Sequence, residues 1–98
     1  LIERGFMGGD CLVNGCVPSK AFLAATHVAH TVRTAGEFGI EIEGPIKVNF
    51  SKVMERMRRI RAEISENDSA QRFSKFIGID VFLGQAKFVG KNKVEVNG

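Results

Sequence analysis

The chain has 98 residues, 44% of them apolar and 26% charged, with 14 Lys and Arg against 11 Asp and Glu for a net charge of +3. That is enough for one small domain with a core built partly from its eight Phe, and it argues against wholesale disorder. No apolar run approaches the roughly 18 residues of a membrane span. The modest positive charge does not by itself call for a nucleic acid partner.

Leu1-Ile2-Glu3 reads as the tail of a buried parallel strand that ends on an acid. In dinucleotide-binding folds a carboxylate at that point binds ribose hydroxyls, although a solvated acid at a strand end is the plainer reading. Gly5, Gly8 and Gly9 follow in a loop, where glycine permits close backbone approach to a ligand or simply makes a turn. A phosphate-cradling Gly-x-Gly-x-x-Gly turn is not in this sequence.

The stretch from Gly8 to Lys20 holds both cysteines, Cys11 and Cys16. In an uninterrupted helix the two would lie roughly 7.5 Å apart along the axis. Disulfides want Cα atoms within about 4.4–6.8 Å. If the cysteines pair, the backbone between them must be distorted, and Gly15 supplies the freedom. Pro18 suits the first turn of a resumed helix. Cys16 would then sit at or just before a helix N-terminus, whose partial positive charge favours a thiolate, with Lys20 adding a cation nearby. The segment reads as a redox-active dithiol. Three other readings stay open: a structural disulfide closing a short loop, a zinc site, and two unrelated buried thiols. A cysteine pair without a visible secretory signal fits a reducing, cytoplasmic setting, in which such a pair is more often catalytic than structural.

From residue 18 or 19 to about 35 the sequence reads as an Ala-rich helix stopped by Gly36. His27 and His30 share a face of it without further ligands and read as surface or packing residues. Residues 36–48 form a connection with three glycines and Pro45. Asn49 or Ser51 caps a second helix over about 50–75, with Val53, Met57, Ile60 and Ile64 on its apolar face and a bend near 65–68. Arg56, Arg58, Arg59 and Arg61 fall on the other faces. No aromatic residues interleave with them for base stacking, so a solvated face or a protein contact is the better reading. A β region over about 79–97 closes the chain: a strand at Ile79–Leu83, then a hairpin from Gln85–Val89 to Lys93–Val96 turning at Gly90-Lys91-Asn92. Both chain ends look abrupt, as in a piece of a longer polypeptide.

The pattern Gly8-Gly9-x-Cys11-x-x-x-Gly15-Cys16-x-Pro18-Ser19-Lys20 resembles the active-site signature of the class I flavin-dependent pyridine nucleotide-disulfide oxidoreductases. That family includes dihydrolipoamide dehydrogenase, glutathione reductase and mercuric reductase. Ile2-Glu3, Gly78-Ile79-Asp80-Val81-Phe82 and Gly84-x-Ala86-x-Phe88 extend the likeness, and the arginine-rich helix at 53–61 looks most like mercuric reductases. One departure is that Val13 precedes Asn14, where the family more often has Asn then Val.

The resemblance implies an α/β fold: residues 1–98 as an incomplete FAD-binding domain, a partial Rossmann-like unit of two helices, a short strand and a C-terminal antiparallel hairpin or meander. It implies electron flow from NADH or NADPH through FAD to a Cys11–Cys16 disulfide. Cys16 would face the flavin and Cys11 would meet the substrate. Glu3, Gly8, Gly9, Asp10, Cys16 and Lys20 would contact the cofactor, Glu3 at the ribose and Lys20 near the reactive end of the flavin. The substrate would be mercuric ion, contacted by Cys11 and Cys16, or a small dithiol, with mercuric ion favoured by the arginine-rich helix. The parent would be a homodimer without a nucleic acid or membrane partner. The piece taken alone would be inactive.

Overall fold

The computed structural model describes residues 1–98. The chain opens with β1 (Ile2–Glu3) and ends with β2 (Phe82–Leu83), β3 (Ala86–Gly90) and β4 (Lys93–Val96). β1 and β2 run parallel, Ile2 opposite Phe82 and Glu3 opposite Leu83. The Phe82 N–H donates to the Leu1 carbonyl and the Gly84 N–H to the Glu3 carbonyl, each at 2.8 Å. The parallel direction matches the sequence reading, but the burial does not. With no helix laid over this two-stranded ribbon, Ile2 and Phe82 stay exposed. The strand expected over residues 79–83 is also shorter, ordered as a strand only at its last two residues.

Between the strands lie α1 (Gly9–Val13), α2 (Cys16–Thr34) and α3 (Phe50–Asn67). α2 begins two residues before Pro18, which therefore occupies its first turn, where a missing N–H leaves no hydrogen bond unmade. It ends through a 3₁₀ turn at Ala35–Phe38, and the terminating residue is Gly39 rather than Gly36. Gly39 takes the left-handed conformation (φ 75°) and its N–H donates to the Gly36 carbonyl at 3.1 Å. Asn49 caps α3 as expected, its side chain accepting from the Lys52 N–H at 3.2 Å. α2 and α3 pack together, with the Phe22 and Phe50 rings stacked at 6.4 Å and Ala21 and Met57 buried. The expected apolar face of α3 is the less exposed one.

The second helix does not run on to residue 75. It breaks at Asp68, where Ser69 caps a single turn, α4 (Ala70–Arg72), by accepting from the Arg72 N–H at 3.1 Å. A π turn at Phe73–Ile77 then ends on Gly78 at φ 78°. β3 and β4 form the expected hairpin, with Lys87 opposite Glu95 and their side chains paired at 2.8 Å. This hairpin is a sheet of its own and does not extend the β1–β2 sheet, so the meander alternative falls away.

The largest correction concerns the core. The body measures 67 × 25 × 23 Å with a radius of gyration of 20.8 Å, where a compact chain of this length would have about 13 Å. Only Leu12, Ala21, Ala35 and Met57 are buried. Phe38, Phe76 and Phe88 are 80%, 83% and 84% exposed, so the apolar content does not close over itself. No helix is long and apolar enough to cross a membrane.

Candidate functional site

α1 is a five-residue helix entered through Gly8, which has φ 94° and whose missing Cβ leaves room for the Leu12 side chain. Leu12, next to Cys11, is 3% exposed and anchors this segment. The Asn14 N–H donates to the Asp10 carbonyl at 2.9 Å, and the helix stops there. α2 starts with Cys16, the Ser19 N–H donating to the Gly15 carbonyl at 3.1 Å. A Cβ on Gly15 would lie 2.9 Å from the Asp10 carbonyl oxygen and 3.3 Å from the Cys11 Cα. Glycine at 15 is therefore what lets the start of α2 approach α1 this closely. The interruption expected between the cysteines is present, at the expected residue.

Cys11 and Cys16 thus belong to different helices. Both are exposed and neither is bridged. The Cys11 thiol is pushed above its ordinary value, first by hydrogen bonding with the Cys16 side chain, then by desolvation and by the charge of Cys16, with the Cys16 backbone and the Lys20 ammonium acting the other way. Cys16 and Lys20 therefore both lie within electrostatic reach of the Cys11 thiol.

The remaining candidate residues form a second group. One Glu3 carboxylate oxygen accepts from the Gly5 N–H at 2.7 Å. Glu3, Gly9 and Asp10 line an open cleft of about 200 Å³ that also touches Arg4 and Asn14. Glu3, Gly8 and Gly9 line a neighbouring cleft of about 260 Å³ on the side of Asp68 and Phe73. Cys11, Cys16 and Lys20 line neither cleft, so the structure does not gather all the candidate residues around one cavity. For a dinucleotide the fit is partial. Glu3 keeps a free carboxylate oxygen, and the backbone at Gly9 is unobstructed by any neighbour. The phosphates have no glycine-rich cradle. His27 and His30 are exposed on α2, and no cluster of three or more metal-ligating side chains forms.

Two residues near the site were not singled out by sequence. Arg61 donates from Nη1 to the Val13 carbonyl at 3.2 Å and is half-buried, unlike exposed Arg56, Arg58 and Arg59. With Arg58 it lines a cleft of about 570 Å³ between Phe6, Leu12 and α3. Spacing put Arg61 off the apolar stripe of α3, and nothing local showed that α1 would dock there. Asn97, the other, is taken up below.

No family model matches the chain. Curated proteins do, over its whole length. It is 33% identical over 99 residues to a dihydrolipoyl dehydrogenase of Bacillus subtilis (strain 168), covering 100% of this chain and 21% of that protein. A dihydrolipoyl dehydrogenase of Acholeplasma laidlawii is 32% identical over 98 residues, 100% of this chain and 29% of that protein. A mercuric reductase of Bacillus cereus is 32% identical over 98 residues, 100% of this chain and 15% of that protein. This homology places the chain in the class I pyridine nucleotide-disulfide oxidoreductase superfamily, among dihydrolipoyl dehydrogenase and mercuric reductase sequences. The chain spans between 15% and 29% of the length of these three relatives.

Proposed function

We propose that this chain is the dithiol-bearing part of an FAD-dependent disulfide oxidoreductase of the dihydrolipoyl dehydrogenase type. The observation that carries the reading is the break at Gly15, which leaves Cys11 within one short helix and sets Cys16 at the start of the next, near enough to interact. Oxidation would join the two sulfurs, releasing two protons and two electrons. Reduction of the bridge would take the same number back. Cys11, exposed, suits exchange with a substrate thiol or disulfide once it has given up its proton. Cys16, at the N-terminus of α2, suits the position facing the cofactor, with Lys20 one turn further along. A bound flavin would supply the hydride chemistry that links this dithiol to NADH or NADPH. Glu3, with Gly8, Gly9 and Asp10 beside it, would hold the adenosine end. The parent would be a homodimer, with residues 1–98 forming part of its FAD domain.

A dithiol is better supported than mercuric ion as the substrate. Dihydrolipoyl dehydrogenases from several organisms match at up to 34% identity. The arginine-rich helix that favoured mercuric ion has a structural use instead, since Arg61 holds the Val13 carbonyl and Arg58 lines a cleft. Residues 1–98 by themselves lack the phosphate cradle and leave their clefts open, which supports weak flavin binding and no turnover for this piece alone.

The test is to expose the reduced chain to oxidised lipoamide and map the products without reduction. An internal Cys11–Cys16 disulfide is expected, absent in Cys11→Ser and Cys16→Ser. Unchanged thiols, or only cross-linked chains, would overturn the reading.

A further inference from the structure

The order Val13-Asn14-Gly15 places an Asn-Gly step inside the link between the two cysteines, and a second such step, Asn97-Gly98, lies at the end of the hairpin. The structure treats the two very differently. Asn14 is exposed and its side chain makes no hydrogen bond. The peptide unit that follows it is also unheld. The Asn14 carbonyl has no partner because Pro18, four residues on, has no N–H, and the Gly15 N–H donates to nothing. Asn97, by contrast, accepts from the Gln85 N–H at 3.1 Å and donates to the Leu83 carbonyl at 3.0 Å through the same side chain.

We propose that Asn14 is a site of spontaneous deamidation, and that the fold opens this step while protecting Asn97. The Gly15 nitrogen attacks the Asn14 side-chain carbonyl carbon. The new N–C bond forms as the Cγ–Nδ2 bond breaks, the proton passes to the departing nitrogen, and ammonia leaves. Water then opens the cyclic imide at either carbonyl, giving aspartate or isoaspartate. Water is the only co-reactant and no electron is transferred. Reaching the imide requires rotation about Asn14 ψ from −5°, and this rotation breaks no hydrogen bond of that peptide unit. Gly15 carries no Cβ to hinder the attack. Isoaspartate adds a main-chain methylene between Cys11 and Cys16, and either product sets a carboxylate two residues before the N-terminus of α2.

The test incubates the chain, folded and in denaturant, at mildly alkaline pH. Peptide mapping follows the mass gain at Asn14 and Asn97, and isoaspartyl methyltransferase labelling identifies the product. Each rate is divided by that of the same site in denaturant, which removes sequence effects. Asn14 is expected to react about fivefold faster than Asn97 on this scale, the factor associated with one retained hydrogen bond. Asn14→Gln should abolish the label in its peptide. Equal relative rates, or an Asn14 slower than Asn97, would overturn the proposal. The outcome does not depend on whether the thiols carry out redox chemistry.

Discussion

Arg61 reaches across 48 positions of sequence to donate to the carbonyl of Val13 at 3.2 Å. Val13 is the last residue of α1, so its carbonyl is one of the helix-end acceptors that have no intrahelical partner. The bond ties α3 to the segment that carries Cys11 and fixes α1 against the helix pair. Arg61→Ala should loosen this end of α1 without touching the hairpin. Amide exchange at Asn14 should rise about fivefold, in keeping with one hydrogen bond of about 1 kcal/mol, while β3 and β4 exchange as before. A uniform rise across the chain would show that the arginine supports the whole fold instead.

Gly15→Ala tests the close approach of the two helices. The added carbon must clear the Asp10 carbonyl oxygen, placed 2.9 Å away, and neither backbone segment can yield without moving a cysteine. The cost is of the order of 1–3 kcal/mol, as for overpacking elsewhere. In a glutathione redox buffer the variant should need a more oxidising mixture to close the Cys11–Cys16 bridge. Closure at the wild-type midpoint would mean that the link has slack that the structure does not show.

Much of this arrangement was legible in the sequence because it is local. The break at Gly15, Pro18 in a first turn, the Asn49 cap and the hairpin ending at Lys93–Val96 each follow from residues within a few positions of one another. What escaped was set by distant partners. Arg61 reads as one more solvated arginine until α1 is placed beside it. Ile79–Leu83 reads as a full strand, yet only Phe82 and Leu83 find a partner in the short β1. The apolar content reads as a core, yet Phe38, Phe76 and Phe88 lie on surfaces that these 98 residues do not cover.

The protonation of Cys11 gives a pH dependence whose sign is fixed. Hydrogen bonding with Cys16 favours the protonated thiol in the folded chain, so its pKa there exceeds that of the unfolded chain. The contribution to stability is therefore full below the ordinary thiol value of about 8.5. It is lost as the pH rises through the higher folded value. Alkylation of Cys11 in Cys16→Ala should show a lower pH midpoint than in the native chain. A midpoint that stays put would assign the shift to desolvation rather than to the neighbouring sulfur.

Asn97 is the joint between the parallel pair and the hairpin. Its side chain accepts from the Gln85 N–H and donates to the Leu83 carbonyl, while its own N–H donates to the Gln85 carbonyl at 3.1 Å. It does so from a left-handed backbone, φ 56°, which asparagine tolerates better than most residues. Gly84 has φ 155°, and a Cβ there would collide with the Asn97 side chain. Asn97→Asp replaces the donor to Leu83 with an ionised oxygen facing a carbonyl, while keeping the acceptor for Gln85. At neutral pH this should cost about 1–2 kcal/mol of local stability, read as faster exchange of the Gln85 amide. Below the carboxyl pKa the protonated side chain can again donate, so protection should return on acidification. Asn97→Gly keeps the backbone freedom but loses both side-chain bonds, and its Gln85 amide should exchange quickly at every pH. If Asn97→Asp behaved like Asn97→Gly at low pH, the contact with Leu83 would not be what holds the hairpin to β2.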